Sequence, residues 1–180
     1  MLVASVLLLL AVPAAGRPSV SAPQVATPAT PARLDELPVP TQGVISATLG
    51  SESERYLATP AREGFTTRNE RHGFRADYGP GGLTVVAGDA EVGLRLAALG
   101  RGCSLQPVET VAPHARANRV EFAHAGVTAW YANGPLGLQQ GFTLEQRPAG
   151  ASDSRLALAL ELSGPLAPRL DGGDLLLIAG

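Results

Sequence analysis

Few residues in this 180-residue chain have the types and spacing that chemistry needs. The single cysteine, Cys103, excludes an internal disulfide, and without Cys-x-x-Cys there is no thiolate zinc site. His72, His114 and His124 are scattered and form no His-Glu-x-x-His helix; their settings are those of loops and strand edges rather than metal ligands. All 14 basic residues are Arg, so a phosphate-binding loop with its lysine is impossible, and there is no Gly-x-Ser-x-Gly elbow. Glu109, Glu121, Glu145, Asp153 and Glu161 are dispersed over polar strand or loop positions. A glycosidase pair would need two of them to converge, and their spacing does not indicate which. Asp171-Gly-Gly-Asp174 offers two carboxylates where Ca²⁺ takes about six to eight oxygens, so it reads as a glycine-rich turn. No metal, cofactor or catalytic residue is expected, and the chain reads as a non-enzyme. An exported hydrolase built from scattered carboxylates or histidines is the remote alternative.

The densest segment is Val127 to Leu144. It holds the only Trp, Trp130, followed by Tyr131, Asn133-Gly134-Pro135, Gly137, Gln140 and Gly141. Two readings stand beside each other. Trp130 and Tyr131 could stack on sugar rings while Asn and Gln bind hydroxyls, which makes a carbohydrate-binding module. Alternatively, Asn133-Gly134-Pro135 is a tight corner, with Gly134 allowing unusual φ, Pro135 fixing the exit and Trp130 covering core. The corner is the expectation. Alternation places Trp130 on the strand face opposite Ala129 and Tyr131.

The elements that position this segment read as strands. Leu156, Leu158, Leu160 and Leu162 recur every second residue, which scatters them around a helix but puts all four on one face of a strand. Val92, Leu94 and Leu96 repeat the device before Gly100-Arg101-Gly102 ends the run. Phe74, Ala76 and Tyr78 lead through Gly79-Pro80-Gly81-Gly82 into Leu83–Val86, a strand-turn-strand signature. Val120 and Phe122 lead through Ala125-Gly126 into Val127, Ala129 and Tyr131, a second hairpin. Phe142 and Leu144 supply another strand. Ser51 and Glu54 stand at capping-box spacing, so Ser51 to Tyr56 is either one turn of helix or a loop. The fold class expected is mainly antiparallel β, as two packed sheets in a sandwich.

The first forty residues are different material: 7 of the 15 prolines, one of the 21 glycines and no aromatic. Met1 to Val12 is one apolar run ending in Pro13-Ala14-Ala15-Gly16. It is too short to span a bilayer and fits a secretory signal (residues 1–16), although no basic residue precedes it. Arg17 to Pro40 carries proline every few residues, which blocks helix and makes an extended linker (17–40). The β-rich domain occupies 41–180. Asp174 to Ile178 starts an apolar strand just before Gly180, so this domain is expected to continue further. The chain is 45% hydrophobic with a net charge of −2, which excludes a wholly disordered chain and provides no basic field for nucleic acid. The reading is an exported protein, extracellular, on the cell surface or periplasmic, with no membrane span after signal removal. A surface polysaccharide or another surface protein is the partner class.

The run Trp130-Tyr131-Ala132-Asn133-Gly134-Pro135-Leu136-Gly137-Leu138-Gln139-Gln140-Gly141-Phe142-Thr143-Leu144 resembles a segment of large bacterial exported proteins that carry FG-GAP, integrin-alpha-like β-propeller repeats. In that family the segment precedes the repeats. Similarity extends to Asn118–Phe122, to Leu156–Leu160 with Ser163–Leu166, and faintly to Ile45–Gly50 and Tyr56. Gln139 stands where the family usually has Glu, and Ala129 where a Glu often precedes the Trp. The resemblance implies the amino-terminal region of such a protein, truncated before its repeats. It carries over no catalytic residue.

Overall fold

The computed structural model describes residues 4–5, 37–149 and 153–179. Most of the expected signal and linker segments therefore lie outside the described residues. In chain order the elements are β1 (Ala4–Ser5), α1 (Val39–Ser51), a 3-10 turn (Glu54–Tyr56), β2 (Thr59–Ala61), β3 (Gly64–Asn69), β4 (Phe74–Gly79), β5 (Gly82–Ala87) and β6 (Ala90–Arg101). They continue with β7 (Ser104–Pro107), β8 (His114–Arg116), β9 (Arg119–His124), β10 (Val127–Gly134), β11 (Gly137–Leu144), β12 (Leu156–Ser163), β13 (Leu166–Asp171) and β14 (Asp174–Ala179).

The fold class is the expected one: mainly β, antiparallel and sandwich-like. An eight-stranded sheet runs β1-β12-β6-β5-β4-β3-β2, with β7 also on β6; a four-stranded sheet runs β11-β10-β9-β8. The core lies between them. Ala76, Tyr78, Leu83, Leu96, Leu158 and Leu160 come from the first sheet, and Val120, Phe122, Val127, Ala129 and Tyr131 from the second. Each set alternates along its strands, as a sheet with one buried face requires. Both expected hairpins form, β4–β5 and β9–β10. Asp171 and Asp174 pair across the two-residue loop of β13–β14, so the glycine-rich stretch between them is a turn.

The leucine ladder of β12 survives an irregularity on its partner. Leu158 pairs with Leu99 and Leu160 with Leu96, so β6 carries one extra residue between the two pairs. The bulge lets Leu96 and Leu99 both reach the core, although their spacing breaks strict alternation. Strand β6 runs through Arg101 and turns at Gly102, whose φ is 56°.

Three expectations are corrected. Residues 39–51 form a helix, where the proline spacing suggested linker to residue 40 and a β-rich domain from residue 41. Pro38 sits at the N-cap and Pro40 in the first turn, where a missing N–H costs nothing. The capping box at Ser51 does not form. The Ser51 hydroxyl donates back to the Thr48 carbonyl at 2.7 Å, and the turn that follows is a 3-10 turn capped by no side chain. Finally, Trp130 does not cover core; it is half-buried on the outer face of its sheet.

Candidate functional site

Asn133 lies at the end of β10, fully buried with no exposed surface. A buried amide is stable only if its donors and acceptor are met. Its Oδ1 accepts from Asn69 Nδ2 at 2.8 Å. Its Nδ2 donates to the Arg68 carbonyl at 2.8 Å and to the Tyr56 carbonyl at 3.3 Å. Only this orientation of the amide satisfies all three neighbours, because two are carbonyls and one is an NH₂. The main chain of Asn133 is held as well: its N–H donates to the Asn118 carbonyl at 3.0 Å, and its carbonyl accepts from Asn118 Nδ2 at 2.5 Å.

Two further amides complete the knot. Asn69, also fully buried, donates to the Gly134 carbonyl at 2.9 Å. Asn118 donates to the Ala47 carbonyl of α1 at 2.9 Å. Asn133 of the hairpin thus ties together the 3-10 turn, β3 and the β8–β9 turn, and Asn118 extends the knot to α1. These parts are far apart in sequence, and no single one could fix the others.

The helix reaches this knot because its facing residues are small. A Cβ on Gly50 would sit 2.2 Å from the Asn133 carbonyl oxygen, and one on Gly134 would sit 2.4 Å from the Ser46 carbonyl oxygen. Backbone therefore lies against backbone, with the Ser46 hydroxyl accepting from the Leu136 N–H at 3.1 Å. The expected role of Gly134 in the corner becomes one of close approach rather than unusual φ. The positive φ falls on Gly137, at 111°, after the two-residue Pro135-Leu136 loop. The Pro135 carbonyl meets His72 Nε2 at 3.0 Å.

Tyr131 and Trp130 face opposite ways, as alternation requires. Tyr131 is inside the sandwich, 5.8 Å from the Tyr78 ring and edge-on to Phe122 at 6.0 Å. Gln140 Nε2 donates to its hydroxyl at 3.0 Å. Burial pushes the Tyr131 phenol up to about 12, with the Gln140 bond acting the other way. Burial likewise raises Tyr78 strongly, against a lowering contact with Thr67 at 3.2 Å.

Trp130 pairs across the strands with Gly141, and a Cβ there would lie 2.0 Å from indole Cζ2. The glycine gives the indole room to lie across the neighbouring strand, which recovers packing that a bare glycine forfeits. The Arg119 guanidinium sits over the ring, 4.1 Å from its centroid, and its Nε donates to Glu121 at 2.6 Å. The eight residues singled out in the sequence are thus all on one hairpin but not at one site. Asn133 and Gly134 meet β3 and α1, Pro135 meets His72 in the β3–β4 turn, and Gly137 closes the hairpin loop at positive φ. Tyr131 and Gln140 join in the sandwich, and Trp130 and Gly141 pair outside. Asn69 was not legible as a partner, since polar residues occupy the inward positions of β3 at Thr67 and Asn69.

Elsewhere, His124 Nδ1 lies 2.8 Å from the Glu109 carbonyl, and Cys103 is free and exposed in the β6–β7 turn. Among the described residues no three His, Cys, Asp or Glu side chains gather as a metal site, and no helix is long and apolar enough to cross a membrane. Compared with known proteins, the chain matches no family model, no curated protein and no solved structure.

Proposed function

We propose that this chain is a non-catalytic, exported module of a bacterial cell-surface or extracellular repeat protein, with a structural and adhesive role. The observation that carries the reading is the Asn133 knot. The hairpin that resembles the amino-terminal region of FG-GAP repeat proteins directs its most distinctive polar side chain at backbone groups and another buried amide, so it builds the domain rather than serving a reaction. The apolar run Met1–Val12 and the proline-rich stretch to Pro40 support export followed by a tether. The Trp130 ring face that a neutral sugar would stack on is held by Arg119, which favours this reading over a sugar platform at Trp130 and Tyr131.

Fusing alkaline phosphatase to the carboxyl terminus of the full chain in a bacterial host tests the export. Phosphatase activity is expected in intact cells, and Leu8→Arg with Leu9→Arg is expected to abolish it. Equal activity with and without those substitutions, or none in either, overturns the export reading.

A further inference from the structure

The outer face of the four-stranded sheet carries two ordered rows. His114, Glu121, Trp130 and Gly141 lie across from one another on β8, β9, β10 and β11, and Arg116, Arg119, Ala132 and Gln139 form the next row, of which α1 covers the Ala132 and Gln139 end and leaves the two arginines outside. On this face Arg119 is held twice, by the indole beneath its plane and by Glu121 at Nε. Its two Nη groups make no further hydrogen bond among the described residues. A guanidinium fixed this way loses little freedom on binding and still presents the fork that fits a carboxylate. Arg116, directly across the strand pair, is exposed and has no ion pair among the described residues; His114 beside it is exposed and likewise unbonded. Together with Ala115 and Glu121 these side chains line a depression of about 400 Å³. Two arginines against one glutamate leave local positive charge on a chain of net −2.

From this arrangement we infer that the face binds an acidic polysaccharide, with the carboxylates of a polyuronate on Arg119 and Arg116. Beyond Trp130 the same face continues to Thr128 and Thr143, paired across β10 and β11, which supply hydroxyls along an open sheet surface. An extended polymer carrying one carboxylate per sugar can follow such a face, whereas a lone small anion gains only a half-open contact. The inference rests on the adhesive part of the reading above for the kind of ligand, and on Arg119 and Arg116 for its chemistry.

The test is titration of the purified full chain with galacturonate oligomers, following heat and the fluorescence of Trp130, the only Trp. Saturable binding with a change in Trp emission is expected, with no binding of neutral galactan oligomers. Arg116→Gln and Arg119→Gln should each weaken binding at least about tenfold, the loss expected for one charge-assisted hydrogen bond. Arg169→Gln, on β13, should leave binding unchanged. Because Arg116 is exposed on an edge strand, its variant keeps the test valid should Arg119→Gln disturb packing. Equal binding of galactan, of inorganic polyphosphate or of phosphatidylglycerol vesicles, or unchanged affinity in both arginine variants, overturns the inference. The phosphatase assay reports export alone, so failure of one reading is distinguishable from failure of the other.

Discussion

Replacing Asn133 by Ala removes three hydrogen bonds at once, two of them buried: those to Asn69 Nδ2 and the Tyr56 carbonyl, and a partly buried one to the Arg68 carbonyl. Asn69 keeps its bond to the Gly134 carbonyl, so it is only partly orphaned. The two carbonyls lose a buried donor, and each such group costs about 1–3 kcal/mol when left unmet. A loss of about 3–5 kcal/mol is expected, a large share of the ~5–15 kcal/mol that holds a typical domain together. Asn133→Asp sharpens the test because it keeps the shape and changes only the donor. At neutral pH a buried carboxylate would face two carbonyl oxygens, so the folded state raises its pKa above the ordinary ~4. Stability of this variant is therefore highest in acid and falls as pH rises, opposite to the usual carboxylate. Urea unfolding of the full chain, followed by Trp130 fluorescence at pH ~3.5 and pH ~7.5, below and above the ordinary carboxylate value near ~4, measures both effects. An Asn133→Ala cost below about 1 kcal/mol, or an Asn133→Asp penalty independent of pH, would refute the reasoning.

Other perturbations follow from the same geometry. Gly141→Ala places a Cβ 2.0 Å from the indole, so Trp130 must leave β11; its emission should shift to the red and stability fall by about 1–3 kcal/mol, read by fluorescence and urea unfolding. Ala117, in the β8–β9 turn, has a φ of 52°, a region L-residues avoid; Ala117→Gly should relieve that strain and raise the urea midpoint by the equivalent of up to about 1 kcal/mol. Tyr131 ionises near 10 when unfolded but is pushed up to about 12 by burial in the fold. Its contribution is complete below pH ~10 and is lost as pH rises toward 12, amounting to roughly 2–3 kcal/mol, with Tyr78 acting in the same direction; thermal melts from pH 8 to 12 should show the loss only above ~10. The β13–β14 hairpin exposes Leu176 at 36% and Ile178 at 38%, so replacing both with Lys should lower self-association in sedimentation without shifting the urea midpoint.

The sandwich was legible because most of its core strands alternate, as the leucines of β12 do, the bulge in β6 being the exception, and because glycine marks the turns between them. Alternation also separated Tyr131 from Trp130 correctly. It could not say what lay against either face. The helix over 39–51 escaped because it docks through Ser46 and Gly50 rather than through an apolar stripe, so its sequence carries little periodic signal. The asparagine knot was half visible, because Asn133-Gly134-Pro135 marks a corner. Asn69 lies 64 residues from Asn133, and nothing local in Thr67-Arg68-Asn69 marks an inward-facing amide. Its role depends on three-dimensional pairing, which spacing does not encode.

That the distinctive hairpin exists to lock the domain is tested most directly by a double-mutant cycle between Asn69 and Asn133, which share a buried bond of 2.8 Å. Urea unfolding of the full chain with Asn69→Ala, Asn133→Ala and both together should give a coupling energy above about 1 kcal/mol, the double variant being less destabilised than the sum. Additivity within ~0.5 kcal/mol would contradict the account, because two side chains in one knot cannot act independently.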